Sequence, residues 1–226
     1  MSLIIALDPE PGMGADRIAE WITGICRRTS GYVAGYKIGL PALLETGLGR
    51  ASRILERCDA RLRIADLKLA DIGYIMGIVA EDLLKAGFNI IIAHAFTGYR
   101  DALETLSRKL GERNGRLVTV VSMSHKGSEE IMDRVVDSLL DVSSKAGAWG
   151  VVMPATRPHL IRMGKNAGFK VLSPGIGAQG AEPGTALCAG ADYEIVGRLI
   201  TRSSDPGQAA ESVLEAQRRM VRECRS

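Results

Sequence analysis

Two lysines and three aspartates are spaced so that strand geometry could gather them. Asp66, Lys68 and Asp71 fall in Asp66-Leu67-Lys68-Leu69-Ala70-Asp71, Lys37 in Tyr36-Lys37-Ile38-Gly39, and Asp8 at the end of Leu3–Asp8. Carboxylates interleaved with ammonium groups can hold a fixed field against charge that develops in a reaction, and an ammonium can also deliver a proton. As a purely structural brace such a cluster would add little, because desolvation offsets the attraction of buried ion pairs. A gathering of charges like this is therefore read first as a candidate active site.

The elements that must position these groups follow from alternation, since successive side chains of a strand point to opposite faces. In Leu62–Leu69, Ile64, Asp66 and Lys68 share one face and Ala65, Leu67 and Leu69 the other. The all-apolar face has to pack against helices, which turns Asp66 and Lys68 inward. The same parity turns Val33, Gly35 and Lys37 inward on a strand over Tyr32–Gly39, and Ile4, Ala6 and Asp8 inward on Leu3–Asp8. Further strand-like runs lie at Asn89–Ala95, Arg116–Met123, Trp149–Pro154, Lys170–Pro174 and Tyr193–Ile200. Helical segments separate them: Ala15–Thr29, Pro41–Leu48 with Ala51–Arg57, Tyr74–Ala86, Arg100–Glu112, Ser128–Ala146, Arg157–Ala167 and Pro206–Arg222. This alternation predicts an α/β chain folded as one (β/α)8 TIM barrel over residues 1–226. Its charged rim is the C-terminal mouth, where such barrels keep their active sites. An open dinucleotide-binding sheet would need a glycine-rich turn after its first strand, and Leu7-Asp8-Pro9-Glu10 is a poor phosphate cradle. The stretch Gly175–Gly190 breaks the pattern: Ile176–Gly184, with its glycines and a proline, cannot be a regular element, and it follows the seventh strand, where barrels often bind phosphate.

Composition narrows the partners. Net charge is +3 and aromatics are 4% of the chain, which argues against nucleic acid. Arg218, Arg219 and Arg222 read as a solvated helix face. No apolar run is long enough for a membrane span, and no signal-peptide pattern opens the chain, so a cytoplasmic protein is expected. Cys26, Cys58, Cys188 and Cys224 lie far apart and read as small buried hydrophobes, with neither a zinc site nor a disulfide framework indicated. His94, His125 and His159 show no metal spacing; the last two are expected in loops.

Asp66-x-Lys68-x-x-Asp71 resembles the D-x-K-x-x-D signature of the orotidine monophosphate decarboxylase suprafamily, which also holds 3-keto-gulonate-6-phosphate decarboxylases and hexulose-6-phosphate synthases. Tyr36-Lys37-Ile38-Gly39 resembles the strand-two lysine segment of the orotidine decarboxylase branch, where the sugar-phosphate branch typically has a glutamate and uses magnesium. Met123-Ser124-His125-Lys126-Gly127 is similar to that branch's segment after strand five. Ser173-Pro174-Gly175-Ile176-Gly177-Ala178-Gln179-Gly180 is similar to its phosphate loop, and Val196-Gly197-Arg198 to the strand-eight partner of that loop.

The resemblance implies a cofactor-independent, metal-free decarboxylation of orotidine 5′-monophosphate to uridine 5′-monophosphate and CO2, in de novo pyrimidine biosynthesis. It implies that Lys68 protonates C6, that Asp66 lies near the departing carboxylate, and that Lys37 orients Asp66 and a ribose hydroxyl. Asp8 would accept from ribose and Ser124 would read the pyrimidine. Pro174, Gly177, Gln179, Gly197 and Arg198 would bind the phosphate end. Asp71, with Ile72 beside it, would enter the neighbouring subunit's site, which implies a homodimer. Two readings stay open beside it, a magnesium-dependent sugar-phosphate lyase and a non-catalytic phosphate-ligand-binding barrel. The chain departs from the common D-I-P-x-T continuation at Gly73 and Ile75. Isoleucine at position 75 lacks the hydroxyl with which the usual threonine would make a polar interface contact, and the glycine is shared with the sugar-phosphate branch.

Overall fold

A computed structural model describes residues 1–224; residues 225 and 226 of the expected 1–226 unit lie outside the described residues. The strands are β1 (Leu3–Ala6), β2 (Gly35–Gly39), β3 (Leu62–Leu69), β4 (Ile90–His94), β5 (Arg116–Val120), β6 (Gly150–Val152), β7 (Lys170–Ile176) and β8 (Tyr193–Val196). They close into a barrel in sequence order, every neighbour parallel, with β8 returning to β1. This is a (β/α)8 TIM barrel. The helices are α1 (Ala15–Thr29), α2 (Leu40–Arg57), α3 (Gly73–Lys85), α4 (Glu104–Gly111), α5 (Gly127–Glu130), α6 (Val136–Lys145), α7 (Pro158–Asn166), α8 (Thr185–Cys188), α9 (Arg198–Thr201) and α10 (Pro206–Glu223).

The strands read as near-continuous apolar runs because helices cover their outer face and side chains fill the barrel inside. Leu3, Ile4, Ile5, Ile90, Ile91 and Ile92 are all buried. The helices instead bury one stripe: α1 hides Ile18, Ile22 and Ile25 and ends on Arg27 and Arg28. Asp205 caps α10 by accepting from the backbone N–H groups of Gly207 and Gln208, with Pro206 opening the helix.

Several predicted boundaries move, each for a local reason. β1 ends at Ala6, so Asp8 stands beyond the strand. β8 ends at Val196, and Arg198 opens α9 after Gly197 (φ −110, ψ −103) breaks the extended path. The helix expected from Ser128 is divided into α5, a 3-10 turn over Met132–Val135, and α6, because Ile131 (φ −131, ψ −67) leaves helical geometry. His159 lies in α7, not in a loop. β7 continues through Ile176, the first residue of the segment expected to be irregular, and the short helix α8 follows that segment after Gly184.

The cysteine expectation is overturned. Cys26 is bonded to Cys58 and Cys188 to Cys224. Separations of 32 and 36 residues carry no local signature. The pairs arise because the end of α1 lies against the residue after α2, and α8 against the residue after α10. Closing loops of this length constrains the unfolded chain by about 3–4 kcal/mol per bridge. Replacing Cys58 with serine is therefore expected to lower Tm by roughly 6–16 °C. Calorimetry of the variant against the parent checks this, and an unchanged Tm would refute it.

Candidate active site

At the C-terminal mouth a cleft of about 500 Å³ is lined by Asp8, Lys37, Asp66, Lys68, Ser124, Pro174, Gln179, Gly197 and Arg198. Four of these form a line of alternating charge. The Lys37 ammonium is 3.4 Å from Asp8 and 3.0 Å from Asp66. The Lys68 ammonium is 2.9 Å from the other oxygen of Asp66. Asp66 and Lys37 are buried, while Asp8 and Lys68 open toward the cleft. Burial opposes charge on Asp66, but Lys37 and Lys68 outweigh it and hold the carboxyl below the usual carboxylate range. Burial opposes charge on Lys37 too, and Asp66 with Asp8 outweighs it, raising its pKa. Both groups thus keep their charges on either side of neutrality. An ion pair at about 4 Å is worth roughly 4 kcal/mol at an effective dielectric of 20, before desolvation. The line is therefore a preorganised field more than a source of stability.

Lys68 reaches this position by a route that alternation does not describe. Pairing between β3 and β4 shifts register between Ala65 and Leu69. Lys68 itself adopts φ 48, a left-handed conformation that costs a non-glycine residue about 1–2 kcal/mol. Strain of this kind persists where the surrounding structure dictates it, often at functional sites. His94, at the end of β4, is pushed toward the neutral form by burial and then by Lys68. Its Nδ1 is buried with no hydrogen-bond partner among the described residues.

Not every expected site residue joins the cleft. Asp71 and Ile72 are exposed outside it, and the Asp71 carboxylate accepts from the adjacent N–H of Ile72, at 2.7 Å. Gly177 lies in the loop behind Gln179, off the cleft wall. Gly73 has a packing explanation: a Cβ there would sit 2.5 Å from Thr105 Cβ and 2.7 Å from the carbonyl oxygen of Ala102. The glycine lets α3 lie close against α4 and carries no weight in choosing between branches.

The sequence profile of the Orotidine 5′-phosphate decarboxylase / HUMPS family matches residues 1–213. The chain belongs to this family. An orotidine 5′-phosphate decarboxylase of Aeropyrum pernix is 46% identical over 219 residues, covering 94% of this chain and 87% of that protein. The crystal structure of orotidine 5′-monophosphate decarboxylase from Sulfolobus solfataricus superposes with TM-score 0.84 at 31% identity, over 97% of this chain and 99% of the other. That from Methanocaldococcus jannaschii, complexed with the inhibitor BMP, gives 0.85 at 30% identity, over 96% and 98%.

Sequence reasoning missed a clamp beneath Ser124. Arg157 is buried and donates to the carbonyls of Met123 and, at 3.2 Å, His125. It also pairs with Asp133 at 2.9 Å and Glu129 at 2.8 Å. Asp133 in turn accepts from Ser122 and Ser128, both at 2.7 Å, and Ser128 accepts from the Met123 N–H at 3.0 Å. The planar guanidinium fork thus fixes the backbone on both sides of Ser124, which a lysine cannot do. Arg157→Lys is expected to lower kcat/KM by about tenfold, since hydrogen bonds to charged groups are worth about 1.5–3 kcal/mol. Steady-state kinetics check it; unchanged kinetics would show that the clamp is dispensable. No signal in the sequence marks Arg157, which reads as an ordinary arginine before a proline.

Proposed function

We propose that this chain decarboxylates orotidine 5′-monophosphate to uridine 5′-monophosphate and CO2 without a cofactor, with Lys68 as the proton donor to C6. The observation that carries this reading is the Asp8–Lys37–Asp66–Lys68 line in the cleft. As the bond from C6 to the carboxylate breaks, its electron pair stays on C6. The Lys68 ammonium stabilises that charge, then gives C6 a proton and is reprotonated by solvent. Lys37 and Asp8 suit ribose hydroxyls, and Ser124 suits the pyrimidine edge. Ile92, Val152 and Ile195 line the same cleft and give CO2 an apolar wall. Gln179, on the loop after β7, and Arg198, at the start of α9, suit the phosphate.

The magnesium-dependent reading would need an acidic residue where Lys37 stands. The Lys37 ammonium, 3.0 Å from Asp66, instead supplies the positive charge at that point. The deciding experiment follows loss of orotidylate absorbance by purified protein with and without EDTA. Equal rates are expected. Activity lost to EDTA and restored by magnesium would transfer the chain to sugar-phosphate chemistry, and nucleotide binding without CO2 release would make it a binding barrel.

The proposed assembly is a homodimer in which Asp71 and Ile72 complete the partner's site. Its support is that Asp71 lies outside its own cleft amid exposed Ile72, Tyr74, Ile75 and Ile78 at the start of α3. In this arrangement Ile75 contributes apolar burial where threonine would have contributed a polar contact. No helix among the described residues is long and apolar enough to cross a membrane. The proposed cytoplasmic setting has to accommodate two disulfides, which intracellular proteins of hyperthermophiles do.

A further inference from the structure

Glu194 is completely buried, and the proposed chemistry does not use it. Its neighbour Ile195 faces the cleft, so alternation sends Glu194 outward from β8, toward α8 and α10. There its carboxylate accepts from the backbone N–H of Gly184 at 2.8 Å, of Ala186 at 2.9 Å and of Leu187 at 3.4 Å. Gln217 of α10 donates its amide N–H at 2.9 Å and accepts from the Ser2 hydroxyl at 2.8 Å.

This arrangement replaces a cap that the local chain cannot supply. The first N–H groups of a helix lack intrahelical partners, and a serine, aspartate or asparagine at the preceding position usually accepts from them. That position in α8 is Gly184, at φ +100, where a Cβ would lie 2.5 Å from Met220 Cβ and 3.2 Å from Gln217 Cα. No capping side chain fits there, and Glu194 accepts from another strand. Gly184 also ends the loop that carries Gln179. The loop's upstream foot is already tied to β8, because Ile176 pairs with Val196. Glu194 ties the downstream foot to the same strand, two residues before that strand ends at Val196 and leads into Arg198. Both arms that face the phosphate are thereby referenced to β8.

We propose that Glu194 is a positioning residue for the substrate phosphate, holding the Gln179 loop in register with Arg198. The inference rests on the reading of those two side chains as the phosphate grip. Its test compares orotidylate with orotidine, the nucleoside lacking phosphate, on Glu194→Gln, which turns an amide N–H2 against the backbone donors. The expected result is a loss of about tenfold in kcat/KM for orotidylate, mostly in KM, with the value for orotidine unchanged. Gln217→Leu keeps the carboxylate and its backbone donors and decides the matter if the first variant does not fold; a loss of about threefold, again only for orotidylate, is expected. Equal losses for both substrates, or none for either, would overturn the proposal while leaving the phosphate grip standing. A parent protein that treats orotidylate and orotidine alike would instead sink the grip itself, and the role of Glu194 with it.

Discussion

Replacing Lys68 by alanine is expected to lower kcat by ~10⁴-fold or more while the barrel stays folded. A positioned general acid contributes about 10²–10⁴-fold, and a preorganised charge facing the developing anion about 10²–10³-fold. One ammonium is asked to do both, so losing it removes both. Stability should change little, because the Lys68 side chain is half-buried and Asp66 keeps its 3.0 Å pair with Lys37. The left-handed backbone at residue 68 sharpens the test. Lys68→Gly should be as inactive as Lys68→Ala yet about 1 kcal/mol more stable, since glycine adopts that conformation without steric cost. Single-turnover decarboxylation and thermal melts of the two variants give the answer. Substantial turnover by Lys68→Ala would remove the proton donor from the mechanism. Equal stability of the two would mean that the strain is absent.

The difference between Asp66 and Lys68 shows how far the sequence can be read. Asp66 sits where alternation puts it, because β3 is regular against β2 through Gly39 and Asp66. Lys68 also faces the cleft, as alternation predicts, but a register shift and a left-handed turn that alternation does not contain produce that outcome. Lys37 followed from the same alternation on β2. What escaped was long-range and chemically unmarked. Arg157 reaches a carbonyl 34 residues away, Glu194 caps a helix in another segment, and the cysteines pair across 32 and 36 positions. Each depends on which loops the closed barrel brings together, and single-strand or single-helix periodicity holds no record of that. The outward-facing Glu194 would have stood out only as a charge at a position where parity demanded an apolar residue.

Asp71 gives the other large expected effect, and it decides whether one chain can hold a complete site. Asp71→Ala alone is expected to cost ~10²-fold or more in kcat, on the scale of removing one electrostatic partner from a preorganised site. A loss of that size does not say whose site was damaged; mixing two inactive variants does. In a two-fold dimer the same patch faces itself, so each site would take Lys68 from one subunit and Asp71 from the other. When Lys68→Ala and Asp71→Ala protomers pair, one of the two sites receives both intact residues and the other receives neither. Random re-association makes about half of the dimers mixed, each with one working site, so activity should recover to about a quarter of the parent's. The exposed Asp71, lying outside its own cleft, motivates this expectation. Recovery that appears only after the protomers exchange would place Asp71 in the partner's site. Mixtures as inactive as their components, although native mass spectrometry finds mixed dimers, would return Asp71 to its own chain. Exposed Ile72, Tyr74, Ile75 and Ile78 would then need another partner.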